Sequence, residues 1–186
     1  MRRVPAAAPL SVPRRALRAV EGLAWGAALA ACSPVHDWRE VRTADGAVQA
    51  LFPCRPQLHE RRLALAGTTV KLALQACDGG GQTWGLASAD LADPARLAQA
   101  LDELAASAAD NLAAVPHSSP LQVPGATPHP GSRRVALEGR RPDGEGAQMR
   151  VAVFTHGTRV YQASVLGQRL PEEPVGTFLG SLRVLP

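Results

Sequence analysis

Among the 186 residues only 4% are aromatic, two are methionine, and a single lysine, Lys71, stands among nineteen arginines. The core must therefore be built mainly from Leu, Val and Ala. His36, His59, His117, His129 and His156 lie far apart and make no H-x-H or H-E-x-x-H spacing, which excludes a metal site readable from local sequence. There is no G-x-S-x-G, and Ser181 sits in an apolar pattern, where it reads as a packing or capping residue rather than a nucleophile. Gly79-Gly80-Gly81 lacks the Lys and Ser/Thr of a phosphate loop and reads as a turn. No C-x-x-C pair is present, so dithiol redox chemistry is not expected, and no cofactor is implied. Uninterrupted apolar runs fall short of the roughly 20 residues that a spanning helix needs.

The chain does have a strongly patterned beginning. Arg2, Arg3, Arg14, Arg15 and Arg18 precede an apolar stretch over 19–31, which Glu21 shortens to the nine residues from Leu23. A positive region followed by a short apolar core is the pattern of an export signal. Arg18 occupies a place where a twin-arginine motif wants an apolar residue, so the general export route is favoured. The stretch ends in Leu29-Ala30-Ala31-Cys32, which resembles the bacterial lipobox. That resemblance implies cleavage before Cys32 and acylation of its thiol and new amino group. The alternative is an ordinary thiol after a simple signal peptide or an uncleaved anchor.

The expected organisation is a signal peptide over 1–31, a tether over 32–37 and one domain over 38–186. Attachment to the membrane through acyl chains on Cys32 would place that domain in the cell envelope, facing the periplasm. Ser33 stands where an aspartate would favour inner-membrane retention, which tilts the expectation toward the outer membrane. Five arginines and one glutamate precede Cys32, whereas fifteen basic and fifteen acidic residues follow it. The mature domain is formally neutral, so nucleic acid is not an expected partner.

Apart from Cys32, Cys54 and Cys77 remain, an even number in an oxidising compartment, and a disulfide between them is the natural reading. Strands are predicted over 38–42 and 47–52 about Ala44-Asp45-Gly46, over 58–65 and 69–77 about Ala66-Gly67, and over 82–91. In a simple meander Cys54 and Cys77 would sit two strands apart, roughly 9.6 Å, too far for a bridge that needs alpha carbons within about 7 Å. Either the 53–57 loop leans across or the two strands are neighbours; the first is preferred.

The clearest element is a helix over 94–114, capped by Asp93, with Leu97, Leu101, Leu104, Ala108 and Leu112 on one face and Arg96, Asp102, Glu103 and Asp110 on the other. Five prolines make 115–131 a connection, which also carries His117 and His129. Strands resume over 133–139, 147–155 and 159–166, followed by a short helix over 173–180 and the terminal run Leu182-Arg183-Val184-Leu185. The fold class is α+β: an antiparallel sheet of about six to seven strands with one main helix packed on it and a short C-terminal helix.

Phe52-Pro53, Arg159-Val160-Tyr161 and the closing run from Phe178 to Val184 resemble a diffuse group of small exported bacterial proteins, many of them with a PsbP-like fold. What the resemblance implies is an accessory or binding module with no catalytic set. Asp90 and Asp93 could pair for acid–base work, but Asp93 already serves as a cap. Arg133, Arg134, Arg140 and Arg141 could gather into an anion-binding patch, against which Glu138, Asp143 and Glu145 favour a solvated hairpin. The expected function is a lipid-anchored, non-catalytic binding or accessory module with an envelope protein as partner. The alternatives are an envelope hydrolase whose site assembles from scattered residues, and a ligand-binding protein that uses an apolar cavity near Trp84.

Overall fold

The computed structural model describes residues 35–186; the expected signal peptide over 1–31 and Cys32 lie outside the described residues. The protein is α+β, and its described residues form ten strands, one main helix and a short C-terminal helix. Strands β1 (Arg39–Arg42) and β2 (Val48–Phe52) form a hairpin, joined at the edge of β2 by β10 (Arg183–Val184). This small sheet is separate from a seven-stranded antiparallel sheet in the order β3-β4-β5-β9-β8-β7-β6. Its strands are β3 (Gln57–Leu65), β4 (Thr68–Gly79), β5 (Gln82–Asp90), β6 (His117–Pro120), β7 (Arg133–Arg140), β8 (Gly146–His156) and β9 (Arg159–Gly167).

Tight turns set the register of the long hairpins. Between β4 and β5 the two-residue loop Gly80-Gly81 has φ of 64° and 82°, the left-handed geometry whose twist matches the flanking strands. Ala66-Gly67 makes the same kind of turn, and Ala66 holds φ 51° despite its methyl group. The main helix secures that residue: Glu103 accepts from the Ala66 N–H at 2.7 Å, and Arg96 donates to its carbonyl at 2.7 Å.

The helix begins as a 3-10 turn, Pro94–Arg96, with Asp93 accepting from the Ala95 N–H, and continues as α1 (Leu97–Asp110). Leu97, Leu101, Ala108 and Leu112 are buried against one face of the large sheet, as their spacing predicts. Val70, Leu72, Val135, Leu137, Val151, Val153 and Val160 meet them from the strands. The opposite face of the sheet is covered by β2, by α2 (Glu172–Gly180) and by Leu182. Strand alternation makes both faces possible: in β5, Ala87 and Ala89 point to α1 while Trp84 and Leu86 point away from it.

Two features differ from the sequence reading. The first strands do not continue into a single meander, because β2 belongs to the small sheet and β4 to the large one. The 53–57 loop carries the chain from one sheet to the other, and Cys54 on it bonds Cys77 on β4 with alpha carbons 6.0 Å apart. The disulfide therefore joins two layers, and the in-sheet distance does not apply. Second, the connection over 115–131 contains the edge strand β6, paired with β7 from His117↔Ala136 to Pro120↔Arg133. Proline is tolerated there because Pro116 precedes the strand and Pro120 ends it.

Candidate functional site

The proline-rich connection turns back after β6 and lies over the end of β8. Thr127 bridges Thr155, the Thr127 hydroxyl accepts from the Gly157 N–H, and the Val184 N–H donates to Pro124. Beneath this strap is a cleft of about 520 Å³ lined by Leu121, Val123, Ala126, Phe154, His129 and Ser132, among others. Its walls are largely apolar, the character of a site that takes a ligand by desolvation and orients it with few polar groups.

Gln122, Thr127, His129 and Ser132 supply the polar groups, and the last two bear on chemistry. His129 Nδ1 accepts the Gly131 N–H at 3.0 Å, which leaves the ring proton of neutral His129 on Nε2. The Ser132 hydroxyl is shielded from solvent and has no hydrogen-bond partner. Ser132 and His129 thus share a cleft, yet a serine hydrolase needs the reverse tautomer, with Nδ1–H held by a carboxylate and Nε2 free to take the serine proton. No carboxylate lines this cleft.

The carboxylates that do converge lie elsewhere and are satisfied by Arg159 and by neighbouring hydroxyl and backbone donors. Asp45, in the β1–β2 turn, accepts from the Tyr161 hydroxyl at 2.9 Å, from the Ala47 N–H and from Thr43, and stands 3.5 Å from Arg159. Burial alone would raise the Asp45 carboxyl, but those hydrogen bonds and the Arg159 charge hold it below its ordinary value. Arg159 also pairs with Asp90 at 3.4 Å. The Thr158 hydroxyl and the Ala92 N–H, with the Arg159 charge, lower Asp90 as well. Tyr161 is pushed well above the ordinary tyrosine range, first by burial and then by donating to Asp45. This network ties the small-sheet hairpin to β9 and lines none of the described cavities. Asp90 and Asp93 do not act as a pair, since each serves its own turn.

The remaining singled-out residues stay apart. His117 lies on the outer strand β6 beside a depression shared with Glu138, His59 on the outer strand β3, and His156 at the end of β8. His36 packs over Gly80, its ring 5.5 Å from Trp38 and 6.2 Å from Trp84. Among the described residues no group of three His, Cys, Asp or Glu could hold a metal ion. Trp84 is fully buried against Phe178, so the sheet face near it is filled and offers no apolar cavity. Ser181 accepts from the Leu51 N–H and donates to the Phe178 carbonyl, the packing and capping role its context predicts.

The arginine patch does not form. Arg133 reaches α1 and pairs with Asp102 at 2.9 Å, Arg134 points to the opposite face of the sheet, and Arg140 donates to the Gly144 carbonyl. The network around Asp45 and the meeting of Ser132 with Phe154 were not visible in sequence, because each joins segments more than twenty residues apart. No family model matches this chain, and no curated protein matches it.

Proposed function

We propose that this chain is a lipid-anchored protein of the cell envelope, attached through Cys32 and facing the periplasm, whose domain binds another envelope component without catalysis. The observation that supports the non-catalytic reading is the separation of cleft and charge. No carboxylate lines the open cleft under the 121–132 strap, and its one histidine accepts the Gly131 N–H on Nδ1, while the carboxylates of Asp45 and Asp90 are held in structural pairs with Arg159. A hydrolase would draw them into the cleft. The ligand that suits these walls is an uncharged apolar group carrying a hydrogen-bond acceptor for His129 Nε2 and Ser132 Oγ. The accessory role also agrees with the PsbP-like resemblance, whose motifs are core residues.

The test is photo-crosslinking in cells from an aryl azide at Leu121, compared with the same group at Leu58 on the outer strand β3. One discrete adduct from Leu121 that disappears in Ser132→Trp supports the reading. Identical patterns from both positions would sink the cleft as the binding site. Separately, Cys32→Ser should move the protein out of the membrane fraction; retention there would refute the anchor.

A further inference from the structure

At the other end of the large sheet, where β4 turns into β5 and β9 ends, a second cavity of about 440 Å³ opens between Gly81, Gln82, Arg141, Gln168 and Arg169. It is polar and lined by two arginines, with no carboxylate on its walls. Among the described residues neither Arg141 nor Arg169 has a carboxylate within 4.0 Å. Arg141 Nε is shielded from water and donates to nothing. Such a donor costs free energy unless a ligand completes it. Glu145, on the neighbouring turn, is taken up by Gln168 at 2.9 Å rather than by either arginine. Gln82, only 8% exposed, donates its amide to the Arg169 carbonyl at 3.2 Å and so fixes the backbone that carries the second guanidinium.

The position of this cavity names its ligand. His36 lies against Gly80, one residue from the cavity wall, so the chain leaves the domain at this end. From His36 back to Cys32 there are four residues, about 14 Å at full extension. If Cys32 is acylated, His36 is tethered within about that distance of the anchored residue, and the cavity opens at the same end of the domain as His36. We infer that the Arg141–Arg169 cavity binds the phosphate of an anionic lipid headgroup in the membrane that holds the anchor, an inference that rests on the lipid-anchored reading. Two planar guanidiniums suit a phosphate, which accepts several N–H donors at once. The domain is formally neutral, so the attraction is local to this cavity and does not come from net charge. Headgroup binding would fix the domain's orientation and hold the 121–132 cleft away from the bilayer, since β8 spans about 33 Å between the two ends.

The test uses the full chain purified from membranes in nonionic detergent, titrated with dihexanoyl phosphatidylglycerol, dihexanoyl phosphatidylcholine and inorganic phosphate. Phosphatidylglycerol should bind at least about tenfold more tightly than either of the others. The double variant R141Q/R169Q should abolish that preference, as should Arg169→Glu alone, whose exposed side chain makes misfolding no explanation. R61Q/R62Q on β3 should leave it intact. Equal binding of the two lipids, or variants that bind as the parent does, would overturn the site. Inorganic phosphate binding as tightly as phosphatidylglycerol would make it a free-phosphate site and overturn the lipid assignment. The intact mass of the same preparation separates the two claims: acylated Cys32 without headgroup preference removes the cavity proposal alone, whereas preference without acylation removes the anchor.

Discussion

The two faces of the seven-stranded sheet are built from different material. Against α1 the buried side chains are Leu, Val and Ala, supplied by one helix and the strands around it. On the other face lie Phe52, Trp84, Phe154, Tyr161 and Phe178, gathered from both ends of the domain. Phe178 meets Phe52 at 5.1 Å and Trp84 at 5.4 Å in edge-to-face contacts, and Phe154 stacks on Tyr161 at 5.2 Å. A chain with few aromatic residues has placed all the buried described ones on the side whose elements are least connected by sequence. That side also carries the disulfide and the Asp45–Tyr161 hydrogen bond. The lesson is that local elements close with small aliphatic residues, whereas a layer assembled from distant segments needs large side chains and a covalent tie.

Phe178→Ala should therefore cost most, about 3–5 kcal/mol, by leaving a cavity beside the rings of Phe52 and Trp84. The comparison is sharpened by Leu101→Ala on the α1 face, about 2–5 kcal/mol; denaturant unfolding measures both. If Leu101→Ala proved the more damaging, the aromatic side would not be the dominant layer.

Reduction of the Cys54–Cys77 bridge should lower stability by roughly 3 kcal/mol in the chain-entropy account. The loss should be uneven: hydrogen exchange in β1 and β2 should accelerate more than in α1. Uniform acceleration would mean that the bridge does not serve the small sheet in particular.

Gly139→Ala probes the opposite face. A methyl group there would lie 2.1 Å from the Leu112 carbonyl, which accepts the Arg140 N–H where the end of the helix meets β7. Overpacking of this kind costs about 1–3 kcal/mol, and the exchange of α1 amides should rise while that of β2 does not.

The smallest effect expected is that of acid. Asp45 and Asp90 titrate below their ordinary value in the folded protein, so their contribution is complete above the unfolded value of 3.8 and is lost as pH falls through their lower folded values. Melting temperature should fall in that window, and Asp45→Asn should flatten the fall. An unchanged slope in Asp45→Asn would place the acid sensitivity elsewhere.

The same contrast explains what sequence discloses. Leu97, Leu101, Ala108 and Leu112 repeat at helical spacing, and Asp45-Gly46, Gly80-Gly81 and Gly157 mark turns through backbone geometry that glycine favours, so α1 and the hairpins were legible. Alternation in β2 and β4 states which residues share a face but not which sheet they join, so the division into two sheets was hidden. Val48 pairs with Val184 across the length of the domain, and nothing local encodes that choice. For the sites the limit is the same. His129 and Ser132 are near neighbours in sequence, but their cleft exists only because Phe154 and the 121–126 segment close around them. Arg141 stood out as one of a run; Arg169, which lines the same cavity, lies two residues beyond the end of β9.

The most direct test of the anchored reading is the intact mass of the protein from a membrane fraction, with and without reduction. A chain that starts at Cys32, is heavier by acyl groups and gains two hydrogens on reduction is the predicted result. A chain without added lipid, or one that retains Met1, would contradict the anchored envelope assignment.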